Sequence, residues 1–294
     1  MKIIRGKKAL VTGAASGIGR AIAIALAREG ADLYLLDIDK DKLEATARQA
    51  GCHGTSVVTA VCDLTRPAEI SAAVEALLST WGRLEILVNN AGIAYHGPTH
   101  EMTGEQWDRL MAVNLMAPIQ LVRELLATLS RADEAHILNV CSMLGLVTIR
   151  RTTAYQTSKF GMVGFTAALR SEYSRGGFGV TALCPGFVRT PMVETFMSSR
   201  RNDKRAKLPA WACTSAERVA DKAIAAIRRN RGLVLVTPMA RLLWWLARIS
   251  PGLADWVNRE GWRRRKRIEI GPDQTGRDRP IRRSPVRLPD EAAE

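Results

Sequence analysis

The segment that most constrains the fold lies at residues 8–19, where a short apolar run passes directly into a glycine-rich turn. Residues 8–12 (KALVT) predict a buried strand, the turn has the spacing GxxxGxG, and a helical run from Arg20 to Arg28 follows. Glycine permits positive φ and leaves room for a ligand, and the amides at a helix N-terminus bind anions. This order predicts the start of a dinucleotide-binding βαβ unit. The residues expected to face the pyrophosphate are Gly13, Ser16, Gly17, Ile18 and Gly19.

Strands and amphipathic helices alternate along the rest of the chain. Strands are predicted at 32–36, 56–61, 84–88, 136–140, 179–184 and 233–236, and helices at 67–80, 104–130, 154–174 and 215–229. The alternation predicts an α/β fold with a single Rossmann-like, doubly wound parallel sheet and helices on both faces. Ligands of such sheets bind beyond the carboxyl ends of the strands. The candidate residues at those ends are Gly13, Asp37, Asp63, Asn89 and Ser142.

Asp37 ends the second predicted strand, where a carboxylate can accept hydrogen bonds from the adenosine ribose and repel a 2′-phosphate. Positions 15 and 38 hold no arginine or lysine, although Lys40 and Lys42 are near. NAD is therefore favoured over NADP as the cofactor. The alternative is that Asp37 caps the next helix or belongs to a turn, a role that Asp39 could fill equally well.

The candidate catalytic residues are a serine, a tyrosine and a lysine. Ser142 follows the apolar strand at 136–140, and Tyr155 and Lys159 are four residues apart in the next helix, which places them on one helix face. A nearby cation favours the ionised form of an acid, so the pair is suited to proton transfer. Taken alone, the same spacing could be a surface coincidence.

Asn114 precedes Pro118 by four residues inside the helix predicted at 104–130. Because proline has no N–H, the Asn114 carbonyl would lose its helical partner and could hold a water or bend the helix. Alternatively, Asn114 simply caps a new helical segment.

Taken together, these motifs resemble the short-chain dehydrogenase/reductase family over about residues 5–237. The matching elements are TGxxxGIG at 12–19, Asp37, Asp63, NNAG at 89–92, Asn114, Ser142, Tyr155, Lys159 and the segment containing Pro185, Gly186 and Thr190. The resemblance implies an NAD(P)-dependent oxidoreductase that acts on CH–OH donors and assembles as a homodimer or homotetramer.

The resemblance also implies residue roles. Tyr155 would be the general acid or base, and Ser142 would hold the reacting oxygen. Lys159 would bind the nicotinamide ribose and favour the phenolate, while Asn114 would support a chain of waters that relays protons. The remaining implied cofactor contacts are Asp63, Leu64, Asn90, Ala91, Gly92, Pro185, Gly186, Val188 and Thr190, with the segment to about Thr214 expected to form a mobile loop over the site.

Composition narrows the cellular setting. The formal net charge of +14 favours anionic partners such as phosphates, acidic membranes or nucleic acid. The five cysteines form no CxxC pair, which predicts buried, reduced thiols. The N-terminal residues lack the apolar core of a signal peptide, and no uncharged apolar stretch reaches 18 residues. We therefore expect a cytoplasmic protein that could attach to a membrane surface.

Residues 238–294 form an extension beyond the predicted domain at 1–237. To about residue 262 the pattern predicts amphipathic helices, and the basic tail that follows is predicted to be disordered. An apolar stripe is formed by Met239, Leu242, Leu243, Leu246 and Ile249, with Arg241, Trp245 and Arg248 on another face. The stripe is expected to pack on the protein's own body or on another subunit. The alternative is an anionic bilayer contacted through 238–267.

The substrate is predicted only by class. Apolar residues near the expected cleft favour a lipophilic alcohol or ketone of the steroid, terpenoid or long-chain class: Met143, Leu144, Phe187, Met192, Phe196 and Trp211. Tyr95 and His96 could border the pocket, whereas His96 and His100 fall in a predicted loop, so no metal site is expected. A non-catalytic NAD sensor or scaffold is the alternative function. The basic tail carries charge but no nucleic-acid reader motif, so no specific nucleic-acid partner is expected.

Overall fold

The computed structural model describes residues 1–189, 197–198, 213–250 and 252. Its strands are β1 (Lys8–Thr12), β2 (Asp32–Asp37), β3 (Val57–Val61), β4 (Ile86–Asn89), β5 (Tyr95–His96), β6 (Ala135–Val140), β7 (Phe178–Cys184), β8 (Phe187–Val188), β9 (Met197–Ser198), β10 (Cys213–Thr214) and β11 (Leu233–Leu235). Its α-helices are α1 (Gly17–Arg28), α2 (Lys40–Gly51), α3 (Pro67–Trp81), α4 (Gly104–Met111), α5 (Ala117–Ser130), α6 (Thr153–Tyr173), α7 (Ala216–Arg229) and α8 (Pro238–Ile249).

Seven strands form one parallel sheet in the order β11-β7-β6-β4-β1-β2-β3. Every neighbouring pair within it is parallel. The order reverses at β1, whose neighbours are β2 on one side and β4 on the other. All seven carboxyl ends therefore lie along one edge, and the predicted doubly wound α/β fold is confirmed.

Helices cover both faces of the sheet because side chains alternate along each strand. In β1, Ala9 and Val11 pack in the cluster that contains α1 and α7, whereas Leu10 packs in the cluster that contains α3 and α5. Strand β2 divides its side chains in the same way, with Leu35 on the first face and Leu36 on the second. Both faces being buried explains why these strands read as continuous apolar runs.

A π-helical turn, Ala112–Met116, joins α4 and α5. Within it the Ala117 N–H donates to the Ala112 carbonyl, five residues back, and Pro118 follows with no N–H to donate. The run Gly104–Ser130 has the length and hydropathy of a membrane span. It is a core helix of this fold, however, because Leu121, Leu125 and Leu129 are buried against the sheet.

Two features differ from the expectations: the start of α1 and the exposure of two cysteines. Helix α1 begins at Gly17 rather than Arg20, so the last two glycines of the turn belong to its first turn. Cys62, Cys141 and Cys184 are buried, but Cys52 is exposed and Cys213 is half-buried. The prediction of buried thiols is wrong for Cys52 because this residue lies at the surface end of α2.

The apolar stripe expected to pack on the body lies mostly on the outside of α8. Ala240 is buried, and Met239, Trp244 and Ala247 pack beside it on a cluster formed by α6, β7, β11 and the segment that follows β6. The outward residues are Leu242, Leu243, Trp245, Leu246 and Ile249. Packing on the described part of the protein's own body is therefore wrong for four of the five stripe residues and holds for Met239. Packing of the stripe on another subunit stays a prediction.

Candidate active site

The glycine turn after β1 is built by close backbone contact. Gly13 has φ of 65°, and a Cβ on Gly19 would lie 2.0 Å from the Gly13 carbonyl oxygen. The Asn90 amide nitrogen Nδ2 donates to the carbonyls of Thr12 (3.0 Å) and Gly13 (3.1 Å). The turn thus lies directly against the start of α1, where free amides can receive an anion.

Thr12 joins this turn to the loop after β4. Its buried hydroxyl Oγ1 accepts hydrogen bonds from the backbone N–H of Asn90 (3.0 Å) and of Ala91 (3.1 Å). These bonds hold the carboxyl ends of β1 and β4 together. The strand order reverses at β1, and ligands of such sheets bind at that point.

Asp37 lies at the carboxyl end of β2 and contacts the same turn. Its Oδ2 accepts from the Ala15 N–H at 2.9 Å and its Oδ1 from the Asp39 N–H at 3.1 Å. Asp39 is the residue that caps α2, because its side chain accepts from the Lys42 N–H at 3.2 Å. Asp39 is therefore the helix cap, and Asp37 holds the turn that leads to it; the role of Asp37 at the ribose stays a prediction.

Asp63 follows β3 and is held by Thr65, whose N–H and hydroxyl donate to Oδ1 at 2.9 and 2.8 Å. The Thr65 N–H is the main cause of a pKa below the usual range for this carboxyl, and Arg66 and Arg109 lower it further. Burial raises the pKa of the neighbouring Cys62 thiol to about 11. This end of the site therefore presents a carboxylate beside a neutral thiol.

A cavity of about 570 Å³ runs along the strand ends. Twelve of the residues predicted as site residues line it: Gly13, Ser16, Gly17, Ile18, Asp37, Asp63, Leu64, Asn90, Ala91, Gly92, Tyr155 and Lys159. Of the others, Gly19, Asn114, Ser142, Pro185, Gly186 and Val188 lie outside the lining. Thr190 falls outside the described residues, as do Met192, Phe196 and Trp211.

The catalytic candidates on α6 stand at the opposite end of this cavity from Asp37 and Asp63. Lys159 is buried, and its Nζ donates to the Val140 carbonyl at 2.9 Å. The same Nζ lies 5.8 Å from the centre of the Tyr155 ring. The lysine is thus fixed between the end of β6 and the phenol, on the helix face that the spacing predicted.

Asn114 supports the loop that faces α6. Its Oδ1 accepts from the Ile93 N–H at 2.8 Å, and its Nδ2 donates to the Ile93 carbonyl at 2.9 Å and to Ser158 Oγ at 3.1 Å. Asn114 lies inside the π-turn, so the interpretation of it as a helix cap is wrong. Its side chain instead joins the loop after β4 to the helix that carries Tyr155.

Ser142 follows β6, and its Oγ accepts from the Leu144 N–H at 3.1 Å. The next residue, Met143, donates its N–H to the Pro185 carbonyl at 2.8 Å, which joins this turn to the end of β7. Gly186 is tightly packed, since a Cβ there would lie 2.6 Å from Thr237 Oγ1. Val188 is buried in β8 and packs into the core.

Other cavity-lining residues did not stand out in the sequence. They are Ile38, Lys42, Cys62, Thr65, Ile93, Ala94, Arg109, Val113, Val140 and Cys141. Four of them end a strand or directly follow one, namely Ile38, Cys62, Val140 and Cys141, so their position beside Asp37, Asp63 or Ser142 could have indicated them. Arg109 and Val113 had only one signal, the four-residue spacing that puts them on one face of the helix before Asn114.

The two histidines near this region do not form a metal site. His96 lies in β5 and His100 in a short 3₁₀ helix, Thr99–Glu101. Among the described residues, no group of three or more His, Cys, Asp or Glu could hold a metal ion.

The donors and acceptors around the cavity suit an extended dinucleotide. The N-terminus of α1 lines the cavity and could receive an anion. Asp37 lies at the end of β2 and Lys159 at the end of β6, with β1 and β4 between them. A family model described as short chain dehydrogenase matches residues 7–201.

Known proteins of similar sequence act on different small molecules. The chain is 38% identical over 199 residues to a D-beta-hydroxybutyrate dehydrogenase from Cupriavidus necator, covering 67% of this chain and 77% of that protein. It is 36% identical over 203 residues to a D-threitol dehydrogenase from Mycolicibacterium smegmatis, covering 69% and 78%.

Solved structures of similar fold contain either nicotinamide cofactor. A short chain dehydrogenase/reductase from Burkholderia phymatum in complex with NAD superposes with a TM-score of 0.76 and 28% identity, covering 86% of this chain and 96% of that one. A metagenomic short-chain oxidoreductase in complex with NADP has a TM-score of 0.68 and 30% identity, covering 80% and 98%.

Proposed function

Because the chain belongs to the short-chain dehydrogenase family and is an NAD(P)-dependent oxidoreductase, we propose that it interconverts a secondary alcohol and a ketone on a lipophilic small molecule, with NAD as its preferred cofactor. The observation that carries this proposal is the Tyr155–Lys159 pair. Its lysine is anchored to the end of β6 at one end of a dinucleotide-sized cavity.

In the proposed reaction, Tyr155 accepts the proton of a substrate hydroxyl, or donates one to a carbonyl in reverse. Lys159, held by the Val140 carbonyl beside the Tyr155 ring, would bind the nicotinamide ribose. Ser142 orients the reacting oxygen. Bound nicotinamide supplies the hydride exchange, so the protein's task is alignment and proton transfer.

Asn114 is proposed to act at the next step of proton movement. Its side-chain atoms bond Ile93 and Ser158. Because Pro118, four residues on, has no N–H to donate to the Asn114 backbone carbonyl, that carbonyl is proposed to hold a water beside the site. This water would return protons from Lys159 to solvent.

The preference for NAD is supported by the charge around Asp37. Its carboxylate is fixed by the Ala15 N–H at the cavity wall, so a 2′-phosphate at the ribose would meet a negative charge. Lys42 also lines the cavity, but its ammonium pairs with the Asp39 carboxylate. This cavity-lining cation is therefore partly neutralised.

The lipophilic substrate class is supported by the surroundings of Ser142 and Tyr155. Tyr155 packs against an apolar cluster in which Phe187, Met239 and Trp244 are only partly buried, and Cys141 of the same cluster lines the cavity. A polyol would leave hydroxyl groups without partners against such a surface, and that costs free energy. A steroid, terpenoid or long-chain alcohol would instead gain by burial of its apolar area.

The experiment is a panel of hydroxysteroids, terpenoid alcohols and long-chain alcohols, with threitol and 3-hydroxybutyrate as polar controls. Each is assayed with NAD and with NADP by absorbance of the reduced cofactor. We expect the highest kcat/KM for a lipophilic secondary alcohol with NAD. Higher kcat/KM for the polar controls would contradict the substrate class, and higher kcat/KM with NADP would contradict the cofactor preference.

A further inference from the structure

Helix α8 carries two apolar faces, of which only one contacts the part of the chain that the structure describes. The residues Leu242, Trp245, Leu246 and Ile249 follow the spacing i, i+3, i+4, i+7, which places them on one stripe. Their exposed fractions are 61%, 55%, 42% and 75%. A continuous exposed stripe of large apolar residues marks an interaction surface.

The helix is held so that this stripe cannot turn inward. Thr237 caps α8 by accepting from the Ala240 N–H at 3.2 Å, and Ala240 is buried beside Trp244 and Ala247. Thr237 also packs closely on Gly186, near the end of β7. Rotation of α8 would expose the inner face and open these contacts, so the outward orientation is the stable one.

Cations border the exposed stripe, and α8 contains no acidic residue. Arg241 donates to the Leu235 carbonyl at 3.3 Å, and the Arg248 guanidinium lies 5.5 Å from the centre of the Trp244 ring. Both arginines are therefore fixed at the surface along one border of the stripe. From 238 to 267 the sequence carries eight Lys or Arg residues against two acidic ones, including the run RRRKR at 263–267.

We propose that the outer face of α8 docks the protein on an anionic lipid bilayer. Apolar side chains with a tryptophan on one face, bordered by cations, are the arrangement that interfacial helices use. A second copy of the chain would bring the same arginines against each other, and the tail beyond residue 252 is itself net positive. An anionic surface is the occupant that complements both the apolar stripe and its charge. This inference does not depend on the identity of the substrate.

The test is flotation of the full chain with phosphatidylcholine vesicles that contain or lack phosphatidylglycerol. The wild-type protein is expected to bind the anionic vesicles and not the neutral ones, and to release in high salt. The double variant Leu242→Asp with Ile249→Asp is expected to lose binding by more than about tenfold, because charge at the apolar contact opposes insertion. The matched control Ile3→Asp, at a side chain 67% exposed, should bind as the wild type does.

Trp245→Phe supplies a second, milder variant. If α8 inserts, anionic vesicles shift the tryptophan emission of the wild type to the blue, and Trp245→Phe loses most of that shift while keeping NAD affinity. Unchanged vesicle binding by the Leu242/Ile249 variant would overturn the proposal, because the basic tail would then carry the attachment. The proposal would also be overturned if the wild-type protein bound no vesicles and formed an oligomer on size exclusion that the double variant does not form. The outer face of α8 would then be a contact between two copies of the chain.

Discussion

Gly19→Ala tests whether the close contact within the glycine turn is needed for cofactor binding. The new Cβ would lie 2.0 Å from the Gly13 carbonyl oxygen and 2.4 Å from Asn90 Nδ2. Ordinary contact begins at about 3.4 Å, so the turn would have to move by about 1.4 Å. Neither neighbour can yield alone, because Asn90 Nδ2 bonds the Gly13 carbonyl.

The magnitude follows from two opposing terms. Overpacking lowers the free energy of unfolding by about 1–3 kcal/mol. Alanine in place of a helical glycine raises it by up to about 1 kcal/mol. The net loss of stability is therefore about 0–2 kcal/mol. The affinity for NAD should fall by about a hundredfold, because the amides of a displaced turn no longer point at the pyrophosphate. A hundredfold loss of affinity corresponds to about 2.7 kcal/mol of binding free energy.

Calorimetric titration with NAD and thermal unfolding measure the two effects separately. Gly164→Ala is the matched control, since Gly164 lies in the interior of α6 with open space around its Cβ position. It should raise stability by about 0.5–1 kcal/mol and leave NAD affinity unchanged. A Gly19→Ala protein that binds NAD as tightly as the wild type would refute the requirement for this close contact.

Two further predictions concern charge. Asp37→Ser removes the carboxylate at the ribose end and should raise the KM for NAD about tenfold while lowering that for NADP in steady-state assays; equal losses for both cofactors would contradict the assignment. Burial lowers the pKa of His136 to about 3, below its ordinary value of about 6.5. Between these two pH values, His136 therefore binds a proton in the unfolded chain and not in the folded one. Stability should therefore fall as pH drops from about 6.5 towards 3, by about 1.4 kcal/mol per pH unit. In urea unfolding at several pH values, His136→Gln should lose this dependence and the exposed His53→Gln should keep it; an unchanged slope in His136→Gln would contradict the role of burial.

The sequence predicted the sheet and its cofactor edge because one physical pattern governs both. Parallel strands buried on two faces are continuous apolar runs, and their carboxyl ends must meet at one edge. Asp37 and Asp63 could therefore be placed at one cavity from the sequence. The strand-end prediction is wrong for Asn89, which is buried and donates to Asn139 Oδ1 at 2.9 Å instead of lining the cavity. The position of Arg109 at the cavity could not be predicted in this way, because Arg109 lies in the middle of a helix and not at the end of a strand.

Helix α8 shows what periodicity leaves undecided. Its sequence contains an apolar stripe at 242, 245, 246 and 249 and a second face with Ala240, Trp244 and Ala247. The first stripe holds the leucines and the isoleucine, which favours it as the core-facing one, yet the core beside Met143 and Phe187 receives the face with Ala240, Trp244 and Ala247. Choosing between two apolar faces requires the shape of the surface that receives them.

The π-turn at Asn114 shows a similar limit. Pro118 indicated an interrupted helix, and both a bend and a new cap satisfied that signal. The paired bonds of the Asn114 side chain to Ile93 come from a loop 21 residues earlier. Local sequence cannot reveal a partner at that separation.

The most direct test of the central claim is the turnover of Tyr155→Phe, beside Tyr173→Phe as a control on the same helix. Removing the Tyr155 hydroxyl should reduce kcat by about 10²–10⁴-fold, the usual contribution of a general acid or base, while calorimetry shows NAD affinity close to wild type. Tyr173 lies at the exposed end of α6, and its variant should turn over normally. A Tyr155→Phe enzyme with wild-type kcat would contradict the assignment of Tyr155 as the proton-transferring residue.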